Sequence, residues 1–222
     1  MNNWLWLAVA ISLGVSLTPW GPLLLYPFTL FTTWVHECGH AVMTVLVGGS
    51  VASITIQPDT SGLTRSLVPA GRIVQGLVAS AGYLAASLVG CLLMAATRVP
   101  KRARPILTGI GAFMLFTLVF WIRNLFGAFV VLAWAAALLA LARKDTGRAP
   151  RFVLSVLAVQ VALNAVYNIR VLFLVHGPSD AATMARLFLL PAWLWAAAWM
   201  ALSIAMLAWT LRITRMPRLG RR

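Results

Sequence analysis

Two histidines and a glutamate near the start of the chain have the types and the spacing of a metal-dependent hydrolytic site. His36 and His40 are four residues apart within an apolar run, and Glu37 follows the first of them. Residues at positions i and i+4 of a helix project from one face, so both imidazoles can share a metal ion. A zinc ion held in this way uses a neighbouring glutamate to activate water. The sequence H-E-x-x-H therefore predicts zinc (Zn²⁺) ligands at His36 and His40 and a general base at Glu37.

A catalytic zinc ion usually takes a third protein ligand, and the sequence offers few donors for it. The chain contains only four acidic residues and three histidines. Asp180 is the first candidate, followed by His176 and Asp59. Asp180 follows Ser179 at the start of the last apolar segment, where either residue can also cap a helix that begins at Ala181. Asp59 lies in a Pro-Asp-Thr-Ser-Gly stretch that is typical of a turn.

A second polar pattern lies in the sixth apolar segment. Gln160, Asn164 and Asn168 recur at four-residue intervals, so their side chains share one helix face. A polar stripe on an apolar helix requires polar partners. Asn164 and Asn168 are therefore candidates for binding the backbone or the oxyanion of a substrate, and the alternative is that these amides hydrogen-bond to neighbouring helices.

The composition indicates that the elements carrying these residues lie in a membrane. Hydrophobic residues make up 61% of the 222 residues, charged residues make up 10%, and the mean hydropathy is +0.90. These values lie far outside the usual range of soluble domains. The net charge of +14 comes from short basic runs between apolar segments, without the interleaved aromatic residues of a nucleic-acid surface, so we expect no nucleic-acid partner. Cys38 and Cys91 both lie in apolar sequence and offer no disulfide framework.

Seven apolar segments approach or exceed the roughly 20 residues that a membrane-spanning helix needs. They are 4–18, 22–47, 73–97, 106–122, 125–142, 152–174 and 187–211. The first is short, so six spans are the alternative. Small residues recur through the third segment and predict close helix packing there: Gly76, Ser80, Gly82, Ala86 and Gly90. We expect an all-α polytopic membrane protein with six to seven transmembrane helices, forming a single domain over residues 1–222.

Residues 49–72 differ from the apolar segments. Gly48-Gly49 closes a helix, residues 53–57 alternate in polarity, and residues 58–62 supply turn residues before residues 63–68. This pattern predicts a short β-hairpin or a re-entrant loop directly after the H-E-x-x-H helix. Such a hairpin can hold a peptide in an extended form by adding it as a strand.

The basic residues predict the orientation in the membrane, because cytoplasmic loops carry the excess of Lys and Arg. Most of the 18 basic residues concentrate at 98–104, 143–151 and 212–222. With seven spans, this distribution puts the C-terminus in the cytoplasm and places residues 49–72 and 176–186 together on the opposite side. Asp180 then lies on the face toward which the H-E-x-x-H helix runs, with His40 only about 12 Å from the end of that helix.

With these features the chain resembles the site-2 protease family of intramembrane zinc metalloproteases, and more specifically its short bacterial branch without a PDZ domain. The similar stretches are His36-Glu37-Cys38-Gly39-His40 followed by Gly48-Gly49, the hairpin from Ser53-Ile54-Thr55-Ile56 through Gly62-Leu63-Thr64, Ala81-Gly82-Tyr83, and Ser179-Asp180-Ala181 with Pro191 and Trp195 downstream. Their order covers most of the chain, and the first motif is the specific one.

The resemblance implies zinc-dependent hydrolysis of peptide bonds at membrane depth, of the kind used in regulated intramembrane proteolysis, by a multi-pass protein of a bacterial inner membrane. It implies that His36 and His40 bind zinc, that Glu37 is the general base, and that an aspartate from a later segment is the third ligand. Asp180 matches this aspartate by position. In familiar members the aspartate follows an Asn-Pro element and precedes a glycine, and the site lies toward the cytoplasm, whereas Ser179-Asp180-Ala181 and the charge distribution differ on both points. The expected partners are a transmembrane or membrane-proximal protein substrate and the lipid bilayer.

Two other functions fit the same residues. One is a non-catalytic polytopic membrane protein, such as a scaffold or a transporter-like subunit, in which the histidines and Glu37 form a structural metal site or a polar cluster between helices. The other is a hydrolase that acts on small or lipidic substrates.

Overall fold

The computed structural model describes residues 3–143, 148–173 and 179–215. Within these ranges the chain forms eight α-helices and one β-hairpin. The elements are, in chain order, α1 (Asn3–Ser16), α2 (Gly21–Leu46), β1 (Ser50–Ile56), β2 (Gly62–Leu67), α3 (Arg72–Ala96), α4 (Ala103–Phe120), α5 (Leu125–Arg143), α6 (Arg148–Val171), α7 (Asp180–Phe188) and α8 (Ala192–Arg215). The predicted helical membrane fold, with a hairpin directly after the H-E-x-x-H helix, is confirmed.

Five of the described helices are long and apolar enough to cross a bilayer, namely α3, α4, α5, α6 and α8. Helix α1 has 14 residues and is shorter than a span. Helix α2 has 26 residues, but the polar residues of its motif lower its hydropathy, and it is not among the five. Each of the seven predicted segments nevertheless coincides with a helix. The chain is therefore an integral membrane protein, and the predicted count of six to seven spans includes α1 and α2.

The last predicted segment, 187–211, is wrong at its start. The structure divides this region into the end of α7 and a separate α8. Leu189 ends α7 in a left-handed conformation with φ of 59°, and its N–H donates to the Ala185 carbonyl. Pro191 follows and has no N–H with which to continue the helix. A left-handed residue other than glycine is uncommon, so the sequence did not indicate a break at Leu189. The prediction merged the two helices because residues 187–211 are mostly hydrophobic.

Helix α7 packs against the first half of α3. A Cβ on Gly76 would lie 2.7 Å from the Phe188 ring, so the absence of a side chain there admits the aromatic ring. The Ser80 hydroxyl lies 3.8 Å from the Met184 sulfur, within hydrogen-bonding range of a thioether. These contacts belong to a small hydrophobic core that is separate from the main one. The first residue of α7, Asp180, is therefore placed by helix packing.

The hairpin turns back and runs beside α2. Gly48 ends α2 with a positive φ of 83°, and the two strands then pair antiparallel. Contacts with α2 continue as far as the tip of the hairpin. The Thr33 hydroxyl donates to the Thr60 carbonyl at 2.7 Å, and the Tyr26 hydroxyl donates to the Pro58 carbonyl at 2.6 Å. Of the two forms predicted for this region, the β-hairpin is confirmed.

The turn between α4 and α5 covers the outer edge of β1. The Ile54 N–H donates to the Trp121 carbonyl at 2.7 Å, and the Arg123 N–H donates to the Ile54 carbonyl at 3.0 Å. The Asn124 side chain continues the pairing, since its oxygen accepts from the Ile56 N–H and its nitrogen donates to the Ile56 carbonyl. Strand β1 is therefore bonded on both edges, and β2 is the edge strand.

Small residues bring α3 close to its neighbours. A Cβ on Gly39 of α2 would lie 2.6 Å from the Ala81 carbonyl oxygen of α3. On the other side, a Cβ on Gly90 of α3 would lie 2.9 Å from the Ala162 nitrogen of α6. Real Cβ atoms do not approach so closely, so the two helix contacts require glycine.

The substitution Gly39→Ala is expected to destabilise the protein, because the added methyl group would overlap the Ala81 carbonyl and the Ala85 side chain. We expect a loss of roughly 1–3 kcal/mol in the free energy of unfolding, measured as a lower Tm in detergent. Gly109→Ala in α4 is the matched control, since a Cβ there meets nothing within 4 Å and alanine is the better helix former. Equal Tm values for the two variants would contradict the close approach of α2 and α3.

Candidate metal centre

The two motif histidines meet on the face of α2 that packs against α3. Their ring centroids lie 4.7 Å apart, and their Nε2 atoms lie 3.0 Å apart. His40 is buried, and His36 is half-buried. The i and i+4 spacing on α2 therefore brings two nitrogen donors to one point.

Asp180 joins the two histidines from the start of α7. Ser179 is the N-cap of this helix, and its hydroxyl oxygen accepts a hydrogen bond from the Ala182 N–H at 3.2 Å. Capping is thus done by Ser179, which leaves the Asp180 carboxylate for other contacts. Its Oδ2 atom lies 3.2 Å from His36 Nε2 and 3.3 Å from His40 Nε2.

The three donor atoms form a triangle of the size that a zinc ion requires. Its sides measure 3.0, 3.2 and 3.3 Å. Ligands that lie about 2.0–2.1 Å from a tetrahedral zinc ion are separated from one another by about 3.3 Å. Two imidazole nitrogens and one carboxylate oxygen are an ordinary donor set for catalytic zinc, with a fourth position left for water or substrate. His36, His40 and Asp180 can therefore hold this ion.

Neighbouring groups prepare these donors for a cation. His40 Nδ1 lies 2.7 Å from the Val78 carbonyl oxygen, so with the proton on Nδ1 this nitrogen donates and Nε2 keeps its lone pair for a metal. Burial alone would raise the pKa of Asp180, but when Nε2 of His36 and His40 instead carries a proton, its hydrogen bond to the carboxylate outweighs this effect and holds that pKa well below its usual range. The Asp180 carboxyl is therefore ionised, which is the form that binds metal.

Gly82 of α3 leaves room for the donor atoms. A Cβ at this position would overlap His40 Nε2 and would lie 2.5 Å from His36 Nε2. The sequence identified Gly82 as one of several small residues of a packed helix and as part of the family-like stretch Ala81-Gly82-Tyr83. Its role beside the donor atoms was missed, because the spacing of small residues does not show which of them faces the motif.

Tyr83 follows Gly82 and holds the ring of His36 in place. The two rings meet edge to face, with centroids 4.6 Å apart. On its other side Tyr83 stacks on Trp199 of α8, with centroids 5.2 Å apart and an interplanar angle of 19°. Aromatic pairs in these arrangements restrict the orientation of both rings. The position of His36 thus depends on α8 as well as on α2.

Glu37 lies against the hairpin. Its side chain is buried, with 4% of the residue exposed. The Thr64 hydroxyl of β2 lies 2.7 Å from Glu37 Oε2 and 3.0 Å from the Glu37 carbonyl oxygen. A Cβ on Gly62 would lie 2.5 Å from Glu37 Oε1. The sequence predicted the hairpin but not these contacts, which follow from the alternation of side chains along β2.

Asp59, the other candidate that the structure describes, is not in this cluster. Asp59 lies exposed near the hairpin tip, where its carboxylate accepts hydrogen bonds from the Ser61 hydroxyl at 2.6 Å and the Ser61 N–H at 2.9 Å. These bonds lower the pKa of Asp59 and explain it as a turn residue. The structure does not bring Asp59 to the histidines. His176 lies outside the described residues.

The polar stripe of α6 is used partly for helix packing. Gln160 is buried and donates to the Ser12 hydroxyl of α1 at 3.0 Å. Asn164 donates to the Gln160 carbonyl of its own helix, also at 3.0 Å. In the described part of the chain, no hydrogen bond joins Asn164 or Asn168 to the H-E-x-x-H residues. A substrate-binding role for these two asparagines stays a prediction.

A family model described as Peptidase M50B-like matches residues 6–210. The match extends from α1 into α8 and includes the motif of α2, the hairpin and Asp180. No curated protein and no solved structure matches the chain significantly.

The substitution Asp180→Ala is expected to weaken zinc binding, because it removes one corner of the donor triangle. We expect the loss of affinity to exceed the roughly 10- to 100-fold that follows from changing residues behind the ligands. The measurement is the zinc content of purified protein together with competition against a chelator of known affinity. Asp59→Asn is the matched control and should leave the affinity unchanged. An Asp180→Ala protein with wild-type affinity would exclude Asp180 as a ligand.

Proposed function

The chain belongs to the M50B-like peptidases, the site-2 protease family of membrane metalloproteases, and on this premise we propose that it is an intramembrane zinc metalloprotease acting on membrane-embedded or membrane-proximal proteins. The observation that carries this proposal is the triangle of donor atoms from His36, His40 and Asp180, with Glu37 next to His36 in the chain. A structural zinc site is usually closed by four protein ligands. The group found among the described residues contains three, which favours a catalytic site over a scaffold or a transporter-like subunit.

In this proposal His36, His40 and Asp180 hold the zinc ion. When bound, zinc polarises the scissile carbonyl and lowers the pKa of a water molecule. Glu37 accepts a proton from the attacking water and passes it to the leaving amine nitrogen, so that the new C–O bond forms and the C–N bond breaks. The Val78 carbonyl and the Tyr83 ring keep the two histidines in their orientations during these steps.

The free edge of β2 supports a protein substrate in extended form. Among the described residues, β2 is paired only with β1. Backbone N–H and C=O groups at membrane depth need partners, because lipid offers none. A peptide added as a further strand would supply them, and a substrate helix must unwind in any case before its amides become reachable. Since Gly62 and Thr64 of this strand touch Glu37, a peptide on the edge would lie beside the general base.

We propose an orientation with the C-terminus in the cytoplasm of a bacterial cell and the site toward the opposite face of the inner membrane. Basic residues lie at the α3–α4 and α5–α6 junctions and near the end of α8. The Arg104 side chain donates to the Ala142 carbonyl at 3.1 Å, which brings the start of α4 beside the end of α5. The positive-inside rule assigns this end to the cytoplasm. Asn164 and Asn168 are the side chains proposed to bind the substrate backbone or its oxyanion.

The substitution Glu37→Gln tests the mechanism. It is expected to lower kcat by roughly 10²- to 10⁴-fold, because the general base is lost, while the zinc content is unchanged. The assay uses purified protein in proteoliposomes with a single-span model protein that carries a fluorophore and a quencher on either side of its span. Asp59→Asn is the control and should keep wild-type turnover.

Three outcomes would count against the proposal. Undiminished turnover in Glu37→Gln would exclude Glu37 as the base. Two kinds of substrate would be offered to the zinc-loaded wild-type protein: the model protein, and any membrane protein that accumulates in cells carrying Glu37→Gln. Cleavage of neither would favour a structural metal site. Hydrolysis of small esters or lipids without cleavage of protein would favour the hydrolase of small substrates.

A further inference from the structure

We propose that Thr64 is a positioning residue for the general base. Its hydroxyl holds one carboxylate oxygen of Glu37, so that the other oxygen is the one that takes up the proton. This inference rests on the proposed proteolytic function and assigns a catalytic task to the hairpin beyond the binding of substrate.

The hydrogen bond is short and its direction follows from the chemistry of the two groups. Thr64 Oγ1 lies 2.7 Å from Glu37 Oε2 and 3.0 Å from the Glu37 carbonyl oxygen. A hydroxyl has one proton to donate, and both neighbouring atoms are acceptors. The carboxylate oxygen is the closer of the two and, when ionised, the stronger acceptor. Thr64 therefore donates to Oε2, which leaves Oε1 with free lone pairs.

Side chains alternate between the two faces of β2, and that of Thr64 lies on the face toward α2. Residues 62, 64 and 66 of the strand are partly buried, whereas residues 63, 65 and 67 are exposed. Gly62 and Thr64 both contact the Glu37 carboxylate. Two residues further along the strand, the Ser66 hydroxyl lies 3.2 Å from the Thr44 hydroxyl of α2. Because a Cβ on Gly62 would lie 2.5 Å from Oε1, only glycine at this position allows the Glu37 carboxyl to lie against the strand.

A buried glutamate needs such a contact more than an exposed one does. Glu37 is 4% exposed, and a carboxylate removed from water is costly unless it is hydrogen-bonded. Within the part of the chain that the structure describes, Thr64 is the residue that donates to this carboxylate. Glutamate also has three rotatable side-chain bonds, so without the contact its oxygens would sample several positions. The hydroxyl of Thr64 thus both solvates the base and fixes its orientation.

The test compares Thr64→Val, which has nearly the same shape but no hydroxyl, with Thr64→Ser, which keeps it. Thr64→Val should lower kcat by roughly 10- to 100-fold with little change in KM or zinc content. Thr64→Ser should recover most of the wild-type kcat. The assay is cleavage of the single-span model protein in proteoliposomes. Ser66→Ala is the matched control, because Ser66 docks the same face of the same strand on α2 without touching Glu37.

The outcomes separate positioning from docking. A wild-type kcat in Thr64→Val would overturn the proposal. An equal loss in Ser66→Ala and Thr64→Val, or a loss that appears in KM alone, would also overturn it, because it would show that the hydroxyls only attach the hairpin to α2.

A second measurement does not require turnover. Acetohydroxamate chelates a catalytic metal ion and gives up its proton to a nearby carboxylate, so its affinity reports on the placement of Glu37. Titration of the Co²⁺-loaded protein, followed by its visible spectrum, should show a roughly tenfold higher Kd for Thr64→Val and a nearly normal Kd for Thr64→Ser. An unchanged Kd for Thr64→Val would overturn the role of Thr64. If the variants show these Kd values but the wild type cleaves no protein, only the proposed function is contradicted. If the wild type binds no metal, both the proposed function and the role of Thr64 are contradicted.

Discussion

The close contact between α2 and α3 is the interaction on which the metal centre depends. Two glycines make it possible, Gly39 on α2 and Gly82 on α3, because a Cβ on either would overlap atoms of the facing helix. The same approach brings the Val78 carbonyl within hydrogen-bonding distance of His40 and the Tyr83 ring against His36. Close packing through small residues is common among membrane helices. Here it also sets the positions of the donor atoms.

A second constraint comes from the cost of unsatisfied polar groups away from water. The structure meets it by pairing the polar groups of the site with protein atoms: Glu37 with Thr64, His40 with Val78, and Asp180 with both histidines. The hairpin obeys the same rule at β1, which is bonded on both edges. Strand β2 is the exception among the described residues, and its unpaired edge beside Glu37 is where the proposed function places the substrate backbone.

The sequence was sufficient for those features that depend on local pattern. The spacing of His36 and His40 implies a shared helix face, and the alternation after Gly48 implies strands. Features that depend on the meeting of distant segments were less accessible. Asp180 was preferred over Asp59 because Asp59 lies in a turn-like stretch and Asp180 matches the family's aspartate by position, but only the distance of Asp180 to the histidines shows that it reaches them. Thr64 and Gly82 lie in stretches that resemble the family, but the sequence does not show that they contact the site, so these contacts follow from the fold alone. The break at Leu189 was missed because leucine rarely adopts a left-handed backbone, so its residue type does not indicate the end of a helix.

The position of Asp180 on α7 has a consequence for the chain as a whole. The other two proposed ligands, His36 and His40, lie on α2, whereas α7 follows α6. An ion shared by the three residues would therefore close a loop containing most of the protein. Closing a long loop restricts the unfolded chain, as a disulfide does. Cys38 and Cys91 are both free, so among the described residues no covalent crosslink has this effect. A bound ion would therefore act as a reversible crosslink, and the contacts of Gly76 and Ser80 with α7 would contribute to metal affinity without touching the metal.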